Sequence, residues 1–313
     1  MVRLPPQHSG DHTVTVDPRF SVLVSGYTFF ESPRWRDDRL WLSDFYTHQI
    51  IRVDLQGRVE KIAEVPQQPS GMGWLPDGRL LVVSMRDRKL LRREGDGRLV
   101  THADLSSVAG GSVNDMVVDA HGRAYVGNFG FDLMGGGTPQ TATLARVDPD
   151  GSVHAAAEGL YFPNGSMITP DGRTLIVAET MGNRISAFDI QPDGQLGPRR
   201  DWAAWAPLPA MTDVPSVLGA LKAAPDGATL DAEGAVWFAD AVGHRVVRMA
   251  PGGDILESIS TGDQGAFACT LGGPDGRTLF VCVAPDFLEH ARKAAREAAI
   301  WTTTVTVPGA GRP

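Results

Sequence analysis

Apolar and polar positions alternate along this chain in short bursts rather than at a helical period. Runs such as Leu40-Trp41-Leu42, Leu80-Leu81-Val82-Val83, Ala124-Tyr125-Val126, Thr174-Leu175-Ile176-Val177, Val236-Trp237-Phe238 and Thr278-Leu279-Phe280-Val281 each follow a turn. After a second short turn comes another apolar run, as at Ile50-Ile51-Arg52-Val53 or Arg245-Val246-Val247-Arg248. The turns carry Pro-Asp-Gly, Asp-Gly or Gly-Gly, where glycine supplies a positive φ without steric cost, so the flanking runs read as hairpins. Segments starting near Phe29, Pro69, Val113, Pro163, Pro225 and Phe267 share the pattern. Four antiparallel strands repeated about every 40 residues are the sequence form of a propeller blade, so the chain predicts an all-β, six-bladed β-propeller. The competing β-sandwich has no fixed phase between repeats.

That phase locates candidate chemistry. Arg39 (or Asp38), Gly78, Gly122, Gly172, Gly234 and Gly276 turn the first strand of each unit into the second, and eight positions earlier stand Glu31, Ser70, Asn114, Asn164, Asp226 and Ala268. The innermost strands of a propeller run along its central channel, so these residues face one another at one mouth. Pro163-Asn164-Gly165 and Pro225-Asp226-Gly227 resemble turns taken alone, yet each is followed seven residues after its glycine by the glycine of a separate turn. They belong to the start of a strand. Glu31, Asn114, Asn164 and Asp226 form an all-oxygen set with two carboxylates, which suits a hard divalent cation: Ca²⁺ foremost, with Mg²⁺, Mn²⁺ or Zn²⁺ as alternatives. The competing reading is that these side chains only hydrogen-bond the ends of their own strands.

Composition narrows the class. A net charge of −8 with no Lys/Arg-rich block argues against nucleic-acid binding. No stretch approaches the ~18 apolar residues of a membrane span. The polar N-terminal extension, 1–20, carries His8, Asp11, His12 and Asp17 and does not read as a signal peptide. The only cysteines, Cys269 and Cys282, fall on neighbouring strands of the sixth unit and are expected to be free thiols in a reducing cytoplasm. The rest of 1–313 reads as a single domain.

Three departures from the compact repeat stand out. Phe131 to Thr141 lengthens the third unit. Arg199 to Ala224, with Trp202, Trp205, Met211 and Leu218, lengthens the passage into the fifth and reads either as a rim loop or as a lid over the channel mouth. Phe287 to Ile300 has the composition of a short helix, with Asp286 as its expected N-cap. The last strand, Trp301 to Val307, is expected to pair with Ser21 to Val24 and close the ring.

Glu31-Ser32-Pro33-Arg34-Trp35, Val113-Asn114-Asp115 with Asp119-Ala120-His121-Gly122-Arg123, Pro163-Asn164-Gly165 with Thr169-Pro170-Asp171-Gly172, and Pro225-Asp226-Gly227 with Asp231-Ala232-Glu233-Gly234 together resemble the gluconolactonase and regucalcin (senescence marker protein) family of six-bladed propellers. The resemblance runs from about Phe29 to Phe280. It implies that Glu31, Asn164 and Asp226 are metal ligands, that Asn114 is a fourth ligand or a substrate contact, and that the chain hydrolyses a lactone, or less often a phosphoester, with one divalent metal. Sugar-lactone members often carry Arg two residues before the third-blade Asn. Here that residue is Ser112, after Gly110-Gly111, which points away from an aldonolactone.

The resulting expectation is a metal-dependent lactonase. Asp226 is the base candidate, assisted by Asn114, with Ser112, Asn114 and Ser70 contacting substrate and metal-activated water attacking the carbonyl. No G-x-S-x-G occurs, so a serine nucleophile elbow is absent. The alternatives are a non-catalytic metal- or partner-binding propeller, or a related hydrolase of another cyclic ester, enol ether or phosphoester. His48 and His244, in equivalent turns, are further base candidates. Asp44, Asn128 and Asp240, from a second column (Asp44, Ser84, Asn128, Ala178, Asp240, Cys282), would either orient the ligands or cap turns. Trp35 and Trp74 read as core. Substrate identity and oligomeric state stay open.

Overall fold

The computed structural model describes residues 18–311. Most of the expected N-terminal extension, with His8, Asp11, His12 and Asp17, therefore lies outside the described residues. Six four-stranded antiparallel sheets are arranged as the blades of a β-propeller. The inner strands are Phe30–Arg36, Pro69–Trp74, Val113–Val118, Pro163–Ile168, Pro225–Leu230 and Gly265–Gly272. In blades one to five the four strands follow one another in sequence, from the channel outward. Blade six takes its outermost strand, Ser21–Tyr27, from the start of the described chain. That strand pairs with Ala298–Thr304 through Ser21↔Thr302 and Val22↔Trp301. The closure matches expectation, but the last strand begins three residues earlier than Trp301.

Every inner strand is bulged near its start, with register breaks at Glu31/Arg34, Pro69/Met72, Val113/Met116, Pro163/Ser166, Pro225/Ala228 and Ala266/Ala268. A bulge inserts an unpaired residue and re-aims the side chains beside it. In blade one the hairpin between the first two strands is Asp37-Asp38, both at positive φ, and Arg39 already begins the second strand. The core is aliphatic and aromatic, packed between adjacent blades, with Trp237, Tyr125, Phe30, Phe188 and Phe280 among its largest fully buried side chains.

Among the described residues two short helices interrupt the strands, one more than the sequence predicts. Helix α1 (Val214–Ala220) lies in the long passage between blades four and five; Asp213 caps it by accepting from Ser216 N at 2.9 Å. Helix α2 (Glu289–Ala295) is shorter than the expected 287–300, because residues 298–304 are strand. Its N-cap is Leu288, not Asp286. Asp286 accepts instead from Leu288 N at 2.8 Å and from Arg292 Nε at 3.0 Å. Both helices, and the long turn after Asn128, lie on the face where the inner strands begin. The cysteines are unpaired and buried; Cys269 and Cys282 belong to different core clusters on opposite faces of their sheet. Among the described residues, no helix is long and apolar enough to cross a membrane.

Candidate functional site

Glu31, Ser70, Asn114, Asn164 and Asp226 each occupy the second position of an inner strand. They form a buried polar ring at one mouth of the channel, exposed from 1% at Ser70 to 8% at Asp226. Ala268, in blade six, is fully buried and offers no ligand atom.

A directed chain of hydrogen bonds joins four members. Ser70 Oγ donates to Asn114 Oδ1 at 2.9 Å, Asn114 Nδ2 donates to Asn164 Oδ1 at 3.0 Å, and Asn164 Nδ2 donates to Asp226 Oδ1. Asn164 Nδ2 also reaches Thr180 Oγ1 at 3.1 Å, and Thr180 Oγ1 donates to Pro225 O at 2.9 Å. Ser43 Oγ donates to Ser70 O at 2.5 Å. Ser43, in the second strand of blade one, and Thr180, just past the end of the second strand of blade four, therefore hold the ring, a role that no spacing in the sequence announces.

Electrostatics sets Glu31 and Asp226 apart. Burial raises the Glu31 carboxyl well above its ordinary range, and the charges of Asp226 and Asp115 push it further; burial and then Asp115 raise Asp226. Among the described residues neither forms an ion pair, and Glu31 Oε2 accepts from its own neighbour, Ser32 N, at 3.1 Å. Two buried carboxylates with no cationic partner are costly unless a cation joins them or they hold protons. Two amide carbonyls stand beside them. This donor set fits a hard divalent cation. Three or more His, Cys, Asp or Glu side chains gathered as for a metal are absent among the described residues; the ring supplies two acids and completes its oxygen set with amides.

The remaining candidates divide. Asp44 accepts from Phe29 N (3.0 Å) and Thr47 Oγ1 (2.5 Å), and Asp240 from Ala224 N and Arg245 Nε, both at 2.9 Å. Asn128 bonds Thr143 O and Gly130 N. They cap turns and make no bond to the ring. Blade four's member of this second column is Glu179, not Ala178: Glu179 pairs with Pro163 just as Asp240 pairs with Pro225. It accepts from Arg184 Nε at 2.7 Å and Tyr161 N at 2.7 Å. His48 and His244 hold left-handed turn positions (φ 61 and 48), equivalent to Arg88 and Asn183, where the backbone carbonyl accepts from the following connection. Ser112 accepts through its backbone from Phe129 N at 3.0 Å. Gly110 and Gly111 are small because a Cβ there would stand 2.6 Å from Gly130 O and 2.3 Å from Phe131 O of the inserted turn. Trp35 stacks on Phe280 at 5.4 Å, and Trp74 lies edge-on to Trp41 at 5.3 Å, both as packing residues.

The connections on this face are apolar. Phe29 packs on Phe45, Tyr46 and Phe267, and Phe129 on Phe162. All belong to one cluster with Phe131, Met181, Val214 and Val217. Tyr46 donates to Phe287 O at 2.5 Å, tying blade one to the segment before α2. The passage between blades four and five is pinched by buried Asn183, whose Nδ2 donates to Pro207 O and Ala220 O and whose Oδ1 accepts from Lys222 N at 2.8 Å.

A family model described as the SMP-30/Gluconolactonase/LRE-like region matches residues 29–285. The chain is 25% identical to a 6-deoxy-6-sulfogluconolactonase of Pseudomonas putida over 90% of its length and 93% of the relative's. It is 26% identical to a pentonolactonase of Haloferax volcanii, over 81% of each chain. The crystal structure of the calcium-binding protein regucalcin from Agrobacterium tumefaciens superposes with a TM-score of 0.72 at 21% identity, covering 93% of this chain and 95% of that one.

Proposed function

The chain belongs to the SMP-30/Gluconolactonase/LRE-like family, and on that premise we propose that it is a lactonase working with one divalent cation at the ring of Glu31, Asn114, Asn164 and Asp226. The observation that carries the reading is the pairing of two buried, cation-free carboxylates with two amides at one channel mouth. The relatives named as lactonases support the reaction class, and a neighbour described as calcium-binding supports Ca²⁺. Bound there, the cation would polarise the lactone carbonyl and acidify a water molecule. Glu31 and Asp226 would hold it by charge, Asn114 and Asn164 by neutral oxygens. Asp226 accepts the proton of the attacking water, its Oδ1 fixed by Asn164. Water adds to the carbonyl carbon, the ring C–O bond breaks, and the proton passes to the leaving alkoxide. Ser70 and Asn114 line the polar floor against the substrate.

The substrate class in this reading is a lactone with an apolar substituent rather than a simple sugar lactone. Two features support it: the phenylalanine-rich connections on the mouth face, and Ser112 in the position where sugar-lactone members of the family often carry Arg.

The test is hydrolysis of a lactone panel, from aldonolactones to long-chain and aromatic lactones, by chelator-stripped protein re-supplied with Ca²⁺, Mg²⁺, Mn²⁺ or Zn²⁺, beside Asp226→Ala. Metal-dependent turnover that vanishes in Asp226→Ala is the expected result. Stoichiometric metal without turnover on any lactone would sink the lactonase reading, and absence of metal binding would sink the site.

A further inference from the structure

A second charged cluster lies beside the ring and is not used by it. At the position after the ring residue, blades two, four and five carry Gly71, Gly165 and Gly227. A Cβ at these glycines would stand 2.6 Å from Met116 N, 2.3 Å from Asp226 O and 2.4 Å from the Cβ of Ala268. Neighbouring inner strands approach too closely there for a side chain. Blade three places Asp115 at this position instead. The bare Gly71 lets Asp115 reach past blade two to blade one, where its Oδ1 accepts from Arg34 Nη2 at 2.7 Å and from Ser32 Oγ at 3.0 Å. Ser32 Oγ in turn accepts from Met72 N at 3.2 Å, and Arg34 also donates to Met116 O at 2.9 Å and Pro33 O at 3.0 Å. Arg34 and Asp115 are both buried.

The channel therefore contains three buried carboxylates, Glu31, Asp115 and Asp226, and a guanidinium already committed to one of them. Asp115 directly follows Asn114 of the ring, and its partner Ser32 directly follows Glu31 and donates from its backbone to Glu31 Oε2 at 3.1 Å, so the pair abuts two ring positions. We propose that Arg34 and Asp115 form a positioning pair that sets the charge of the cation site. Arg34 cancels Asp115, which keeps a third acid out of the site, and Asp115 holds Arg34 away from Glu31, which leaves Glu31 free for the cation. Neither side chain touches substrate. The inference rests on the ring being a cation site.

The experiment is a double-mutant cycle, Asp115→Asn, Arg34→Met and both together. Ca²⁺ affinity is measured by calorimetry on chelator-stripped protein, and each variant's folding is checked by circular dichroism. Two unit charges a few ångströms apart near a protein interior interact strongly enough to shift binding on the order of tenfold to a hundredfold. Asp115→Asn leaves Arg34 uncancelled beside Glu31 and is expected to weaken Ca²⁺ by about that factor. Arg34→Met is expected to bind at least as tightly as wild type, and the double variant to return to within roughly threefold of wild type. A double variant as weak as Asp115→Asn, or an Asp115→Asn that binds like wild type, overturns the proposal. If the Arg34→Met proteins do not fold, Arg34→Lys keeps the charge: wild-type affinity there beside a weakened Asp115→Asn supports the pair, and equal affinities overturn it. Wild-type protein that binds no divalent cation overturns the site reading and this inference together; a wild type that binds but shows no recovery in the cycle overturns this inference alone.

Discussion

Asn114 Nδ2 donates to Asn164 Oδ1 at 3.0 Å, so the amides of blades three and four touch across the channel mouth. A carbonyl oxygen has two lone pairs. The chain from Ser70 to Asp226 uses one on each amide and leaves the other for a cation. It also fixes which end of each amide faces inward, because Asp226 accepts and so demands the Nδ2 of Asn164.

Asn164→Ala removes both a carbonyl oxygen and the donor that holds Asp226. The expected loss in lactone kcat/KM is on the order of a hundredfold or more, with unchanged circular dichroism. Ser70→Ala removes only the first link, and a loss of under about tenfold is expected. Steady-state kinetics on the two variants checks the ranking; equal losses would show that the direction of the chain is irrelevant.

The pH response of the cation-free protein follows from Glu31 and Asp226. Both carboxyls titrate above their ordinary range in the fold, so the folded state binds protons more strongly than the unfolded chain. Their contribution to stability is complete at acid pH. It is lost as pH rises from the ordinary carboxylate range through the raised folded values. Chelated wild type should lose Tm relative to Glu31→Gln/Asp226→Asn as pH rises from about 4 to 8. Added Ca²⁺ should restore more Tm at pH 8 than at pH 5, because the ligands must be deprotonated. Thermal scans with and without chelator check both signs; a wild-type-minus-variant difference that does not vary with pH would sink the assignment.

The ring was readable from sequence because the hairpin glycines of blades two to six fix the phase of the strand before them, and in blade one, where the hairpin is Asp37-Asp38, the count back from Arg39 finds the same position. The same counting failed on the following strand of blade four for a definite reason. Leu75, Asp119 and Asp231 each donate to the carbonyl four residues on, but Thr169 donates to Thr174, five residues on. That one extra residue moves the second strand along by one, so Glu179 takes the place expected of Ala178. Helix α1 has no clear sequence signature, because Val214-Pro215-Ser216-Val217-Leu218-Gly219-Ala220 has weak helix propensity and depends on the Asp213 cap. Asp115 was visible only as the neighbour of Asn114; its partner lies 81 residues earlier, and nothing in the spacing joins them.

Asn183 fixes both ends of the passage that carries α1, and its own φ of 50° sits in the left-handed region that asparagine tolerates. Asn183→Ala would strand Pro207 O, Ala220 O and Lys222 N and add backbone strain. A destabilisation of about 2–3 kcal/mol is expected. Protease cleavage should appear within 206–221 before global unfolding. Limited proteolysis with mass mapping is the check, and cleavage first elsewhere would count against the pinch.

Ring closure depends on a strand contributed from the far end of the chain. Ser21–Tyr27 covers the outer edge of Ala298–Thr304, and Phe20 packs on Trp301 at 5.4 Å. Removing residues 1–27 would leave blade six with three strands and bare the edge of Ala-Ala-Ile-Trp-Thr-Thr-Thr, a β-prone stretch with no charge to block edge-to-edge pairing. Loss of the cooperative thermal transition and aggregation near room temperature are expected. Val22→Thr is the control on the same strand: Val22 is 52% exposed, so the change should shift stability by no more than about 0.5 kcal/mol. A truncated protein that melted like wild type would mean that the blades hold together without this closure.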